Sequence, residues 1–240
     1  PLVILVVCFT PLHHILLHIT ILAFSCLASC EIYNLLAKNL PMQKKSIVVG
    51  LSMLIPLATY VCALLKLNFV LSTLFFIASF MVLLVMEVFY PNPKNPVDPF
   101  ADSNKKLAGS LFVLVYGGYL ISFVSRMTVL EHSTEFIVLF LVMIFLCDSA
   151  AWFFGVLFGK GSRGYVKASP NKSIVGFVGG ILASIASGIL CTFIWPQVFT
   201  GPLWRIVLLG LVVSISAILG DLVESVFKRS AKEKDSGNLI

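Results

Sequence analysis

The sequence predicts an all-α fold, a polytopic integral membrane helix bundle, and three observations carry that prediction. Of 240 residues, 59% are hydrophobic and only 12% charged, with a mean hydropathy of +1.02. A water-soluble domain is roughly half apolar and about a quarter charged. The apolar residues come in unbroken runs of about 20, the length a helix rising 1.5 Å per residue needs to cross roughly 30 Å of hydrocarbon. The basic residues alternate between connections in a pattern that never slips out of phase. At about 20 residues per span, this chain holds at most roughly ten spans, which leaves no room for a soluble catalytic domain.

Eight segments follow in order. Residues 1–10 form a partial one, because the chain opens on Pro1 in mid-run and is expected to be a fragment at this end; no basic region or small-residue cleavage site marks a signal peptide. Segment 15–37 stops at Lys38, and 47–65 lies between Lys44-Lys45 and Lys66. Segment 69–90 stops at Pro91-Asn92-Pro93-Lys94-Asn95-Pro96-Val97-Asp98-Pro99, whose prolines forbid helix. Segment 107–125 runs from Lys105-Lys106 to Arg126, and 134–158 ends on Gly159-Lys160. Segment 174–195 carries Gly176, Gly180, Ser184 and Gly188 at i+4 spacing, a small-residue stripe suited to close helix contact in lipid. Segment 205–227 ends on Lys228-Arg229. The expectation is seven full and one partial transmembrane helices, with 1–90 as N-terminal transmembrane helices, 91–106 as a cytoplasmic loop and 107–240 as a C-terminal transmembrane catalytic region. Ten-residue alternation, the mark of membrane strands, is absent.

The net charge of +6 does not point to nucleic acid, which needs a basic face on a water-exposed domain. It reads as topology. Lys38, Lys44, Lys45, Lys94, Lys105, Lys106, Lys160, Arg163, Lys167, Lys172, Lys228, Arg229, Lys232 and Lys234 fall in alternate connections, against only Lys66, Arg126 and Arg205 in the others. The fuller set marks the cytoplasmic side. Six cysteines lie singly in apolar runs without metal or disulfide spacing, and read as buried apolar side chains. His13, His14 and His18 read as interfacial histidines without function, and Trp195 and Trp204 as belt residues.

A carboxylate inside a spanning helix costs about 2.5–3.5 kcal/mol even on mild scales, which makes it a functional candidate. Asp148 lies roughly 15 Å and Asp221 roughly 10 Å from the cytoplasmic ends of their segments at helical rise. Asp221, Glu224, Ser225 and Lys228 share one helix face. Both helices run into basic clusters containing Lys160, Arg163, Lys167, Ser169, Lys172 and Ser173, or Lys228, Arg229, Lys234 and Asp235. Half-buried carboxylates with basic residues and glycine-freed amides at the mouth are the parts that hold a divalent cation and a polyphosphate, and hard oxygen ligands favour Mg²⁺. The bland alternative is that the bases signal topology and the acids form structural pairs. Glu31 and Glu87, near cytoplasmic helix ends, are weaker candidates that can simply face the interface.

The C-terminal run resembles a known family. Ser225-Val226-Phe227-Lys228-Arg229, then four residues, then Lys234-Asp235-Ser236-Gly237-Asn238-Leu239-Ile240 is similar to the signature of the phosphatidate cytidylyltransferases, or CDP-diacylglycerol synthases. Gly220-Asp221-Leu222-Val223-Glu224-Ser225 resembles the G-D-x-x-E-S before it. Asp148 to Gly155 and Ser169-Pro170-Asn171-Lys172-Ser173 resemble two further segments, and Glu31-Ile32-Tyr33 an early one. The chain departs from that pattern at Val156, where the family has Arg, and at Val175, where it has Glu, with Arg163 or Lys167 as the available substitutes. It also stops at Ile240, before the family's P-G-H-G-G and D-R-x-D. The expectation is a chain truncated at both ends, inside its own active site at the second, and inactive as it stands.

The resemblance implies that phosphatidate and CTP give CDP-diacylglycerol and pyrophosphate at the cytoplasmic face of a bacterial inner membrane. It implies Mg²⁺ or Mn²⁺, with a second cation and a homodimer both compatible. The implied catalytic set is Asp148, Lys172, Asp221, Lys228, Arg229, Lys234 and Asp235, with Asp221, Glu224 and Asp148 on metal. Lys160, Lys167, Ser169, Ser173 and Ser225 are implied to contact substrate. The partners are CTP, phosphatidate and the lipid bilayer, with no nucleic acid. Rival readings are cytidylyl transfer to another lipid phosphate, CTP-dependent phosphorylation of a polyprenol, and secondary transport of an anionic solute. Transport predicts matched broken helices in the two halves, whereas the intramembrane charges lie in one half only.

Overall fold

Without water to solvate its amides, an apolar run of about 20 residues satisfies its backbone within a single helix. The structure, a computed structural model, describes residues 7–89 and 98–232. Among the described residues seven helices are long and apolar enough to span a membrane: α1 (Pro11–Leu36), α2 (Lys45–Leu64), α3 (Val70–Phe89), α4 (Ser103–Met127), α5 (Ser133–Phe158), α6 (Ile174–Ile194) and α7 (Leu203–Ser230), each 20–28 residues long. Together they make an integral membrane helix bundle, as the hydropathy predicted. Their outer faces carry exposed Phe24, Ile77, Phe145 and Val212, the side chains of helices solvated by hydrocarbon. Of the partial first segment only 7–10 are described, with Val7 and Cys8 helical, and most of the proline-rich loop, 90–97, lies outside the described residues. The chain divides after Glu131 into two units, α1–α4 and α5–α7.

In the first unit α2 packs against α1, α3 and α4, around Val48, Ile55, Leu83, Val113 and Leu114. Two local helix defects meet there. Pro56 lies inside α2 and has no N–H for the carbonyl of Ser52 four residues back. The middle of α4 widens into a π-helix at Leu114–Leu120. Gly118 of that stretch faces the Ser52 carbonyl, so closely that a Cβ would stand 2.5 Å from the oxygen. The Gly117 carbonyl accepts from Ser25 Oγ at 2.5 Å, and Ser29 Oγ bonds Ser52 Oγ at 2.8 Å. Small hydroxyls from α1 and α2 thus satisfy backbone and one another inside an apolar bundle.

The ends of α2 and α4 depart from expectation in informative ways. Helix α4 starts at Ser103, four residues before the apolar run, because Ser103 and Lys106 reach back to Glu87 of α3 at 2.9 Å each. Helix α2 ends in a Schellman turn: Leu67 N–H donates to Cys62 O at 2.8 Å and Lys66 N–H to Ala63 O at 3.3 Å. The turn needs a left-handed residue, ordinarily glycine, yet Lys66 occupies it at φ 54°. A side chain there costs about 1–2 kcal/mol. His14 and His18, expected at the interface, are buried; His18 lies 4.3 Å from the Tyr60 ring and 3.3 Å from Thr128 Oγ1.

In the second unit the small-residue stripe places α6 between α5 and α7. A Cβ on Gly176 would meet Ala151 O at 2.6 Å and one on Gly180 Cys147 O at 2.8 Å. Ser184 Oγ donates to Gly210 O of α7 at 3.2 Å. Gly188 closes the stripe between Met143 and Ile206, beside Leu139, Cys191 and Val213. Gly180→Val is therefore expected to push α5 from α6 and cost about 1–3 kcal/mol, measured as a lower thermal midpoint in detergent. An unchanged midpoint would mean that the helices do not need this approach.

Candidate active site

The polar residues of the second unit gather where α5 ends, α6 begins and α7 passes. After α5 the chain makes one 3₁₀ turn, Lys160–Ser162. A lone antiparallel bridge then pairs Arg163 with Ser173, while Gly164, at φ 85°, donates to Pro170 O at 3.0 Å. These bonds fold the 160s into a closed loop that returns to the start of α6. Ser173 caps α6 by accepting from Gly176 N–H at 3.0 Å, in the manner of an N-cap serine. It is buried against α5, where a Cβ on Gly155 would stand 3.2 Å from its hydroxyl and one on Gly159 2.8 Å from its Cβ. The glycines at the end of α5 let that cap sit flush against the helix.

A cavity of about 430 Å³ opens between these elements. Asp148, Trp152 and Val156 line it from α5; Arg163, Asn171 and Lys172 from the loop; Ser173 and Phe177 from α6; Ile218 and Asp221 from α7. Lys172 Nζ pairs with Asp221 Oδ2, which joins the approach to α6 to α7. Arg163 donates to Gly155 O at 2.9 Å. Val156 and Arg163 line the same cavity, so a guanidinium stands there although the helix position that would have carried one is valine. The lining combines apolar Trp152, Phe177 and Ile218 with charged Asp148, Arg163, Lys172 and Asp221, the mixed composition of a site for an amphiphile.

Of the residues singled out by sequence, Asp148, Lys172, Ser173 and Asp221 come together. Glu224 does not join them, since its Oε1 pairs with Lys228 one helical turn on at 2.6 Å. Ser225 Oγ donates to Asp221 O of its own helix at 3.0 Å. Arg229 Nε donates to Ala168 O at 3.3 Å and ties the loop to the end of α7. Ser169 O accepts from Lys172 N–H at 3.1 Å inside that loop. Lys160 and Lys167 are exposed and outside the cavity lining. Lys234 and Asp235 lie outside the described residues. The sequence motifs include Trp152, in Asp148-Ser149-Ala150-Ala151-Trp152, and Asn171, in Asn171-Lys172, without assigning either a role, and they do not reach Phe177.

Among the described residues no three His, Cys, Asp or Glu side chains form a metal-sized cluster. Mg²⁺ does not require one, because it binds through one or two carboxylates and takes its remaining ligands from water and substrate phosphates. Asp148 of α5 and Asp221 of α7, which line one cavity, fit that donor set. Glu224, paired with Lys228, stands aside from it.

The chain matches the model of a cytidylyltransferase family over residues 1–240. It is 41% identical over 95 residues to a phosphatidate cytidylyltransferase of Chlamydia muridarum (strain MoPn / Nigg), covering 38% of this chain and 31% of that protein. It is 39% identical over 99 residues to the one of Staphylococcus haemolyticus (strain JCSC1435), covering 41% and 37%. A Staphylococcus epidermidis (strain ATCC 35984 / DSM 28319 / BCRC 17069 / CCUG 31568 / BM 3577 / RP62A) relative of the same description is 37% identical over 113 residues, covering 46% and 41%. The chain thus spans 31–41% of the length of these relatives.

Proposed function

Because the chain belongs to the cytidylyltransferase family, we propose that its second unit transfers a cytidylyl group from CTP to phosphatidate, giving CDP-diacylglycerol and pyrophosphate. The observation that carries this reading is the single cavity lined by two carboxylates, Asp148 and Asp221, by two cations, Lys172 and Arg163, and by the apolar Trp152, Phe177 and Ile218. A water-soluble triphosphate and a bilayer lipid must meet, and a cavity whose lining is both charged and apolar admits both.

In the proposed reaction a phosphate oxygen of phosphatidate forms a bond to the α-phosphorus of CTP. The bond from that phosphorus to the oxygen bridging to the β-phosphate breaks, and pyrophosphate leaves with the electron pair. No covalent enzyme intermediate is needed. Lys172 and Arg163 stabilise the charge spread over the phosphoryl oxygens, and the rest is positioning. Lys228 and Arg229, near the end of α7, extend the basic field for the triphosphate, and the sequence resemblance assigns Lys234 the same role. Asp221 and Asp148 are the residues to hold Mg²⁺ or Mn²⁺, which when bound neutralises phosphate charge. The same reading places the cavity at the cytoplasmic face of a bacterial inner membrane, supported by the basic-residue bias and the bacterial relatives, and is compatible with a homodimer.

The test uses the protein containing this chain, in detergent, with phosphatidate, labelled CTP and Mg²⁺. A labelled liponucleotide with equimolar pyrophosphate is expected. Absence of product in detergent, together with substrate accumulating inside vesicles once the protein is reconstituted into them, would replace transfer with transport.

A further inference from the structure

A second cavity, in the first unit, takes no part in that reading. It measures about 460 Å³ and lies at the end of the helices where α1 begins, α2 ends, α3 begins and α4 ends. His13, Lys66 and Thr128 supply its polar lining, and Cys62, Leu67, Phe69, Val129 and Leu130 its apolar collar. Among the described residues no carboxylate pairs with Lys66. Phe69 also carries the guanidinium of Arg126, 5.9 Å from its ring centre, and Arg126 donates to Ser72 and Thr73 hydroxyls at 3.1 and 3.3 Å.

Topology does not account for these cations. Lys66 and Arg126 are two of the only three basic residues in the connections poor in them, the side where lysine and arginine are ordinarily sparse. Backbone preference does not account for Lys66 either, because its Schellman position favours glycine. A left-handed lysine that lines a cavity points to a role for its side chain there. An exposed ammonium at the rim of an apolar collar, at the level where helices leave the hydrocarbon, complements a phosphate attached to acyl chains; the Thr128 hydroxyl donates to Ser125 O at 2.7 Å and adds only a polar surface beside it.

We propose that this cavity binds the phosphate headgroup of an anionic phospholipid, with Lys66 as its charge partner and Thr128 and His13 beside it. Bound lipid then joins the ends of four helices and braces the first unit.

The test is native mass spectrometry of the protein in detergent containing equal phosphatidylglycerol and phosphatidylcholine, with wild type beside Lys66→Gly and Lys66→Asn. Both replacements suit the left-handed turn, so the fold is expected to survive, with a melting midpoint in lipid-free detergent no lower than wild type. Retention of phosphatidylglycerol over phosphatidylcholine by wild type, reduced about fivefold in both variants and unmoved by millimolar inorganic phosphate, supports the proposal. Equal retention of the two lipids by wild type, unchanged selectivity in the variants, or full displacement by inorganic phosphate overturns it. Should one variant unfold, the other decides by the same readout.

Discussion

Asp221→Asn is expected to lower the rate of CDP-diacylglycerol formation by about 10²–10³-fold or more while leaving the protein inserted and folded. The size follows from removing a fixed negative charge that faces the reacting phosphates' counter-charges, a loss of several kcal/mol of electrostatic stabilisation. The folding cost is small because the Lys172–Asp221 pair is half open, with the carboxylate side chain 53% and the ammonium 23% exposed, and such pairs contribute about 0–1 kcal/mol. Glu224→Gln is the control on the same helix face. Its carboxylate pairs with Lys228 at 2.6 Å and does not line the cavity, so its activity is expected to stay within about threefold of wild type, a change of well under 1 kcal/mol. The measurement is labelled-CTP turnover alongside the melting midpoint. Retained activity in Asp221→Asn removes that residue from the metal role, and a loss in Glu224→Gln as large as in Asp221→Asn would return Glu224 to it.

The contrast between Asp221 and Glu224 shows where sequence reading reaches and where it stops. Helix periodicity places both on one face, and so it does, but it cannot say which carboxylate a lysine one turn away will take. The spans themselves were legible because hydrocarbon imposes a length on each and the basic residues punctuate them. That α6 would be closely packed was legible in the spacing of Gly176, Gly180, Ser184 and Gly188, but that α5 is the helix it packs against was not. The π-helix at Leu114–Leu120 was not, since it depends on Ser25, Ser29 and Ser52 arriving from two other helices. The cavity lining was half legible: deep aspartates stand out because they are costly in lipid, whereas Trp152 and Phe177 look like any other aromatic in an apolar run. Glu87 was the clearest surprise. Near a helix end it reads as an interfacial carboxylate, but its partners lie far away in sequence.

Those partners make Glu87 the subject of the largest stability effect expected. Its carboxylate accepts from Lys106 Nζ and Ser103 Oγ at 2.9 Å each and from Gln43 Nε2 at 3.1 Å. Gln43 Nε2 also donates to Leu83 O at 2.9 Å, and the Gln43 backbone carbonyl accepts from Tyr33 OH at 2.6 Å. The connection before α2, the end of α3 and the start of α4 are therefore joined through one carboxylate. The ion pair is buried, with side-chain exposures of 13% for Lys106 and 8% for Glu87, unlike the neighbouring Lys105–Asp102 pair at 60% and 37%. Lys106→Met leaves a buried charge without its cation and is expected to cost about 3–5 kcal/mol, roughly a 10 °C fall in melting midpoint for a protein of this size. Adding Glu87→Leu removes the stranded charge, so the double variant is expected to recover most of the loss despite having fewer polar contacts. Lys105→Met, at the exposed pair, is expected to change stability by less than about 1 kcal/mol. A Lys106→Met midpoint within 2–3 °C of wild type would show that the buried pair contributes no more than the surface one. A double variant less stable than Lys106→Met alone would show that the Gln43 and Ser103 bonds to Glu87, and not the ion pair, join the three elements.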